Sequence, residues 1–249
     1  MIVIEKKRLS IETEDGAGVR LRRLFPTPDI SNYDPFLLFD EFFLQHPAGF
    51  PFHPHHGFEA VTYMLEGGFR HRDSMHNETT VMFGGVQRIT TGKGIEHSEM
   101  PGTEGMNHGI QLWIDLPREM KDMEPDYQQV EPYDIPIEET TDAVIRTIIG
   151  DKSPVFVHAK VTYRDIILKT KHVFDSTVPR HNRGMVYVLG GVVRMENQEL
   201  QPGEAYFFGE ERTMELYAQE RSRFLFLTGK PFNERTTFGG ENAAGVHRT

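Results

Sequence analysis

Residues 49–59 read Gly49-Phe50-Pro51-Phe52-His53-Pro54-His55-His56-Gly57-Phe58-Glu59, and an apolar run from Phe58 to Leu65 follows at once, closed by Gly67-Gly68. On an extended segment, residues two apart point to the same face. His53 and His55 therefore project together, and His56 projects away. Two imidazoles placed this way can share one metal ion. The apolar run with its glycine stop reads as a β-strand. This short stretch pairs a candidate site with the strand that supports it.

The rest of the chain repeats that style. Helical patterns are scarce, and most segments are short alternating or apolar runs cut by Gly, Pro and Asn. Strands are expected at Val81 to Thr90, Gly109 to Leu116, Val155 to Val161 and Asp165 to Lys169. More are expected at Met185 to Leu189, Ala205 to Phe208 and Phe224 to Thr228. Such spacing is that of an all-β barrel or sandwich. Val61-Thr62-Tyr63-Met64-Leu65-Glu66-Gly67 is echoed by Met185-Val186-Tyr187-Val188-Leu189-Gly190-Gly191, 124 residues later in a chain of 249. An offset of half the chain suggests two tandem barrels. The polar, acidic stretch from Glu119 to Asp142 is read as the crossover between them, with a helical turn near Glu138 to Ala143. The polar residues from Lys230 onward are read as a tail over one barrel.

Composition narrows the function classes. Hydrophobic residues make up 38% and aromatic residues 11%, too rich for a disordered chain. The 27 Lys and Arg against 37 Asp and Glu give a net charge of −10. That argues against direct nucleic-acid binding and against binding to anionic membranes. Cysteine is absent, which excludes disulfides, a thiolate nucleophile, cysteine-ligated zinc and Cys-held iron–sulfur clusters. No apolar run is long enough for a membrane span. Met1-Ile2-Val3-Ile4 turns charged at Glu5, so no signal peptide is read there and a cytoplasmic location is expected.

Histidine is concentrated. Eight of the twelve lie between His46 and His108. Beyond His53 and His55, the segment Gly92-Lys93-Gly94-Ile95-Glu96-His97-Ser98-Glu99-Met100-Pro101 places His97 and Glu99 on one face. If the two segments meet inside a barrel, three imidazoles and a carboxylate converge. This mixed N/O set suits iron, manganese, nickel, cobalt or zinc. Strand parity leaves Glu59 on the same nominal face as His55, so parity alone does not choose between Glu59 and Glu99. Gly92 and Gly94 are read as a turn, His71 and His76 as an exposed hairpin tip, and Trp113 as core. Phe39, Phe42, Phe50 and Phe52 flank the first motif as pocket or packing residues.

Gly49 to Glu59 resembles the first metal-binding motif of the cupin superfamily in its pirin form. Asp34-Pro35-Phe36-Leu37-Leu38-Phe39-Asp40-Glu41-Phe42 resembles the pirin pattern upstream of it. Thr90 to Pro101 resembles the second motif, and His108-Gly109-Ile110-Gln111-Leu112-Trp113 the strand after it. The similarity is specific over residues 20–130 and looser beyond. The resemblance implies two tandem cupin, jelly-roll-like β-barrels: residues 1–135 with the metal site, and 136–249 without one. It implies a mononuclear divalent metal, iron(II) first, on His53, His55, His97 and Glu99, with Glu59 orienting a ligand. It also implies a dioxygenase that cleaves a flavonol such as quercetin with O2 and releases carbon monoxide, with Glu99 as the proton acceptor. The rival reading is an iron-dependent redox-sensing protein that binds transcription-factor complexes. In the second half, Thr177, Pro179 and Arg183 stand where the echo places His53, His55 and Glu59, so no metal is expected there. Ligand histidines must be neutral, so metal occupancy is expected to fall at acidic pH.

Overall fold

The computed structural model describes residues 6–209 and 213–234. Among these residues the chain is all-β apart from one short 3-10 turn, Arg118–Met120. The strands begin with β1 Lys6–Leu9, β2 Ile11–Asp15, β3 Val19–Phe25, β4 Phe36–Leu44, β5 Phe50–His55 and β6 Phe58–Glu66. Then come β7 Gly68–Asp73, β8 Glu78–Met82, β9 Val86–Thr90, β10 Ile95–Pro101, β11 Asn107–Asp115 and β12 Asp126–Val130. The second half holds β13 Ile137–Glu139, β14 Ala143–Ile149, β15 Val161–Leu168, β16 His172–Thr177 and β17 Arg183–Gly190. It ends with β18 Val193–Met195, β19 Gln198–Leu200, β20 Glu204–Phe208, β21 Thr213–Ala218 and β22 Ser222–Gly229. No helix among the described residues is long and apolar enough to cross a membrane.

The strands form two units of the same plan. The N-terminal unit has a seven-stranded sheet in the order β12-β9-β6-β11-β4-β3-β2 and a four-stranded sheet β5-β10-β7-β8. The C-terminal unit has β1-β20-β17-β22-β15-β14-β13 and β16-β21-β18-β19. The orders match position for position. The echoed heptads lie in β6 and β17, the third strand of each large sheet, so the 124-residue offset marks a structural repeat.

The main division between the units falls between Asp134 and Ile135, with short segments on either side belonging to the other unit. The N-terminal unit takes Ile11–Asp134, Val155–Ala159 and the described residues from Phe232. Among the described residues, the C-terminal unit takes residues 6–10, Ile135–Pro154 and Lys160–Pro231. β1 pairs with β20, Lys6 opposite Phe207 and Leu9 opposite Glu204. It fills the edge that β12 fills beside β9 in the N-terminal unit.

Four local readings are corrected. Val81 to Thr90 is not one strand but the end of β8 and all of β9, divided by the turn at residues 83–85. Val155–Ala159 is irregular, and the strand starts only at Val161. Its backbone is held by side chains: Gln128 Oε1 accepts from Phe156 N at 3.0 Å, and Glu59 Oε2 from His158 N at 2.8 Å. The stretch from Glu119 to Asp142 contributes two strands, β12 and β13. The helical turn expected at Glu138 to Ala143 is a hairpin, in which Thr140 Oγ1 accepts from the Asp142 and Ala143 amides at 3.1 and 2.9 Å. Thr is better placed at such turns than inside a helix. Of the tail from Lys230, residues 235–249 lie outside the described residues. Phe232 and Asn233 donate their backbone N–H groups to Asp34 at 2.9 Å each.

The interiors differ. In the C-terminal unit, β16 and β21 occupy the positions of β5 and β10 and turn Phe174, Met214, Leu216 and Ala218 into an apolar core. Phe174 packs on Phe224 and Phe226 at 5.8 and 5.9 Å. Each such ring contributes roughly 1.5–3 kcal/mol by burial. Thr177 and Pro179 are exposed and Arg183 is half-buried. In the N-terminal unit the corresponding interior is polar: His71, Gln87, His97 and Glu99 are all buried. Buried polar groups cost stability unless they are paired, so this interior calls for a functional reason.

Candidate metal centre

The site is assembled by strand register. β10 lies between β5 and β7 in the small sheet. His97 is opposite His53 on one side and Asp73 on the other. Glu99 is opposite Phe50 and His71. The register of β5 against β10 shifts between His97 and Glu99, with one more residue on β5. The turn leading into β10 needs glycine: Gly92 has φ +48°, and a Cβ there would meet the Met123 carbonyl oxygen at 2.1 Å. This settles Gly92 and Gly94 as turn residues.

Among the described residues, two triads of candidate ligands result. His53, His55 and His97 bring their ligand atoms within 4.8 Å of one another, as do His71, His97 and Glu99. His97 belongs to both. The four residues singled out by sequence are thus brought to one interior, but divided between two triads that share His97. Both triads lie in the N-terminal unit. His53 and His55 are half-buried, while His71 and His97 are wholly buried.

The donor atoms fit a divalent transition-metal ion. His53 Nδ1 donates to the Pro51 carbonyl at 2.7 Å, which leaves the Nε2 lone pair free to bind. A backbone carbonyl on the far ring nitrogen is how metal-ligating histidines are commonly oriented. The Nε2 atoms of His53 and His55 are 2.9 Å apart. Both ring nitrogens of His97 are buried without a hydrogen-bond partner. A buried donor or acceptor left unmade costs about 1–3 kcal/mol, and a bound cation removes that cost at the nitrogen that ligates it.

Electrostatics agree with neutral imidazoles. Burial, reinforced by His53 and His56, lowers His55 to about 3. Burial lowers His53, and burial with the neighbouring imidazoles holds His97 well below its ordinary value. Glu99 moves the other way. Burial pushes its carboxyl up to about 8, against a hydrogen bond from Gln87 that favours the charged form. Gln87 Nε2 donates to Oε1, and Gln111 Nε2 reaches Oε2 at 3.4 Å. Thr62 Oγ1 ties the two glutamines together, donating to Gln111 at 2.6 Å and accepting from Gln87 at 3.1 Å.

An aromatic wall flanks the outer triad. Trp113 stacks on Phe58 at 4.2 Å and meets the edge of His55 at 4.7 Å. Trp113 is half-buried and packs against the core cluster of Phe58, Ala60 and Ile89, in line with its expected place in the core. Phe39 and Phe42 are packing residues, fully buried, while Phe52 is 58% exposed and Phe50 is half-buried.

Two readings change. Glu59 does not orient a ligand in this geometry. Its Oε1 accepts from Thr90 Oγ1 and pairs with His158 Nδ1, both at 2.9 Å, and its Oε2 takes the His158 amide. His71 is no exposed tip. It sits inside β7, with Nε2 on Asp73 Oδ2 at 2.9 Å and its ring stacked on Tyr127 at 4.6 Å. The signal was present in Arg70-His71-Arg72-Asp73: the arginines face out, so the alternation turns His71 and Asp73 inward. His76 is exposed, as expected.

Comparisons with known proteins agree with this architecture. The Pirin family model matches residues 18–114, and the model for the Pirin C-terminal cupin domain matches residues 163–241. A "Pirin-like protein" of Caulobacter vibrioides is 38% identical over 240 residues, covering 92% of this chain and 87% of that protein. A "Putative quercetin 2,3-dioxygenase" of Pseudomonas aeruginosa is 37% identical, covering 88% of this chain and 84% of that protein. Among solved structures, a quercetin 2,3-dioxygenase from Acinetobacter baumannii superimposes with a TM-score of 0.84 at 28% identity, covering 92% of this chain and 87% of that one. The two matched barrels, and this level of identity along most of the chain, make the protein a member of the pirin family.

Proposed function

We propose that the protein is a dioxygenase that cleaves a flavonol such as quercetin with O2 and releases carbon monoxide, at one mononuclear divalent metal held by His53, His55, His97 and Glu99. The carrying observation is the gathering of three neutral imidazoles and a buried carboxyl inside one barrel, beside the Trp113–Phe58 wall. The relative from Pseudomonas aeruginosa and the Acinetobacter baumannii structure, both named for quercetin 2,3-dioxygenase, support the substrate class.

When bound, iron(II), or manganese, nickel, cobalt or zinc in its place, supplies Lewis acidity toward the hydroxyl and keto oxygens of the flavonol. The chain's own residues do the rest. Burial keeps His53, His55 and His97 neutral and so ready to bind. Glu99 accepts the flavonol hydroxyl proton as general base, its carboxylate oriented by Gln87 and Gln111. Trp113 and Phe58 offer aromatic surface to a planar polyphenol.

The test is aerobic turnover of quercetin by protein loaded with each of these ions, with carbon monoxide detected and His97→Ala as control. Carbon monoxide from the wild type and none from the variant supports the reading. Wild type shown to bind metal, yet producing no carbon monoxide with any ion, overturns it and leaves the redox-sensing binding role in its place.

A further inference from the structure

The flavonol reading does not use His71. This side chain has no exposed surface, and its Nδ1 is buried without a hydrogen-bond partner. We propose that the barrel holds a second, deeper seat for a divalent transition-metal cation, formed by His71, His97 and Glu99, which shares His97 and Glu99 with the four-residue site proposed above. The inference rests on the reading of this barrel as metal-binding, and not on the flavonol reaction.

The ligand atoms of the inner triad lie within 4.8 Å of one another. Donors around one ion with bonds of about 2.1 Å are roughly 3.0–4.2 Å apart, so small rotations close the seat. His71 is held as a ligand histidine is held. Its Nε2 faces Asp73 Oδ2 at 2.9 Å, and its Nδ1 is buried without a hydrogen-bond partner. A carboxylate on the far nitrogen is the arrangement that orients metal-bound imidazoles. Asp73 is itself fixed, accepting from the amides of Met75 and Asn77 at 2.9 and 3.0 Å and from Asn77 Nδ2 at 2.8 Å. Tyr127 lies parallel to the ring, tilted by 11°, and restricts its rotation. Strand register puts His71 directly opposite Glu99 on β10. A side chain anchored at one nitrogen, clamped on its face and left bare at the other nitrogen is prepared for a cation. Both seats need His97, so one ion fills them in turn and the stoichiometry is one per chain.

The test removes the outer histidines and asks what remains. His53 and His55 are half-buried, so His53→Ala/His55→Ala is compatible with the fold, to be checked by circular dichroism. The double variant is titrated with Co(II) alone, and its Cu(II) form is examined by pulsed EPR, which counts coordinated imidazoles. The expected result is one Co(II) per chain at reduced affinity, with two imidazoles on Cu(II). Adding His71→Asn should weaken that binding at least tenfold and drop the count to one. A folded double variant that binds no Co(II), or whose Cu(II) carries a single imidazole, overturns the inner seat. The imidazole count needs no change at His71, so it decides the question even if the triple variant does not fold. Wild type that binds while the double variant does not defeats the inner seat alone; wild type that binds neither ion defeats the metal reading with it.

Discussion

The Nε2 atoms of His53 and His55 face each other at 2.9 Å, and the Pro51 carbonyl fixes which nitrogen of His53 carries the lone pair. Two ligands at right angles on an ion, with bonds of about 2.1 Å, lie roughly 3.0 Å apart. The pair is thus already spaced as one edge of an octahedral site, and with His55 in its Nδ1–H tautomer an ion can sit between the two rings with little rearrangement. A ligand present at 100 times its Kd stabilises the folded state by about 2.7 kcal/mol. For a protein of this size that corresponds to a rise in Tm of roughly 5–10 °C. Differential scanning calorimetry with and without Mn(II) or Ni(II) should show this shift, and His97→Ala should abolish it. An unchanged Tm at saturating ion, or an equal shift in the variant, would count against the ligand assignment.

Metal binding should release a proton near neutral pH, and Glu99 should be its source. The three ligand imidazoles are held neutral by burial, so at pH 7 they have no proton to give up. The Glu99 carboxyl, pushed up to about 8, is mostly protonated there. Calorimetric titration at pH 7 in buffers of different ionisation enthalpy should report release of most of one proton per ion. Affinity should climb by up to tenfold per pH unit below 8 and level off above it. At neutral pH the titration of the Glu99 carboxyl thus adds to the competition of protons for the ligand histidines at acidic pH. Zero proton release at pH 7 would mean that Glu99 either stays out of coordination or is already ionised before the ion arrives.

The same groups shape the stability of the metal-free protein. Glu99 has a folded pKa raised from 4.5 to about 8, so its contribution is fully present below 4.5 and is lost as pH rises through 8. His55 is lowered from 6.5 to about 3, so its contribution is present above 6.5 and is lost as pH falls. His53 and His97 act in the same direction as His55. Tm after treatment with EDTA should therefore fall on both sides of about pH 6.5. Saturating metal should remove the alkaline decline, because the bound ion favours ionised Glu99. A Tm of metal-free protein that rises from pH 6.5 to 8 would contradict the burial of a protonated Glu99.

Glu59 offers a control within the same barrel. Its carboxylate is committed to Thr90 and His158. Glu59→Gln keeps the volume but disrupts the hydrogen-bonding pattern, and should cost about 1–3 kcal/mol of stability. Metal stoichiometry should remain that of the wild type. Loss of the bound ion with the fold intact would return Glu59 to the ligand set.

How much of this was legible depended on periodicity. The pairs His53/His55 and His97/Glu99 follow from alternation along single strands, and the heptad echo locates β6 and β17. His71 obeyed the same alternation, but the charges of Arg70, Arg72 and Asp73 made the segment read as solvated. Burial of Asp73 is stabilised by hydrogen bonds from Met75 and Asn77, which composition does not reveal. The division of Glu99 from the outer triad depends on the register of β5, β10 and β7, a non-local property. The edge position of β1 had no local signal either. Lys6-Lys7-Arg8-Leu9 has no apolar face of its own, and its place is set by pairing with β20. Val155–Ala159 misled in the opposite sense. Its apolar residues suggested a strand, whereas Gln128 and Glu59 take its amide hydrogens instead of a neighbouring strand.

Glu99→Gln separates coordination from chemistry. The amide fills the same space and can still meet Gln111, but it carries no charge and accepts no proton at neutral pH. If Glu99 is the general base, kcat/KM for quercetin should fall by about 10²–10⁴, while thermal stability of the metal-free protein changes little or rises, since an uncharged group already suits this interior. The ion should bind more weakly through the three imidazoles, so turnover must be compared at saturating metal, with occupancy measured on the same sample. The pH profile gives a second readout. Wild type should lose its acidic limb in the variant if that limb reports ionisation of Glu99. Full activity in a metal-loaded Glu99→Gln, with the limb retained, would remove Glu99 from proton transfer and leave it as a residue that shapes the inner barrel.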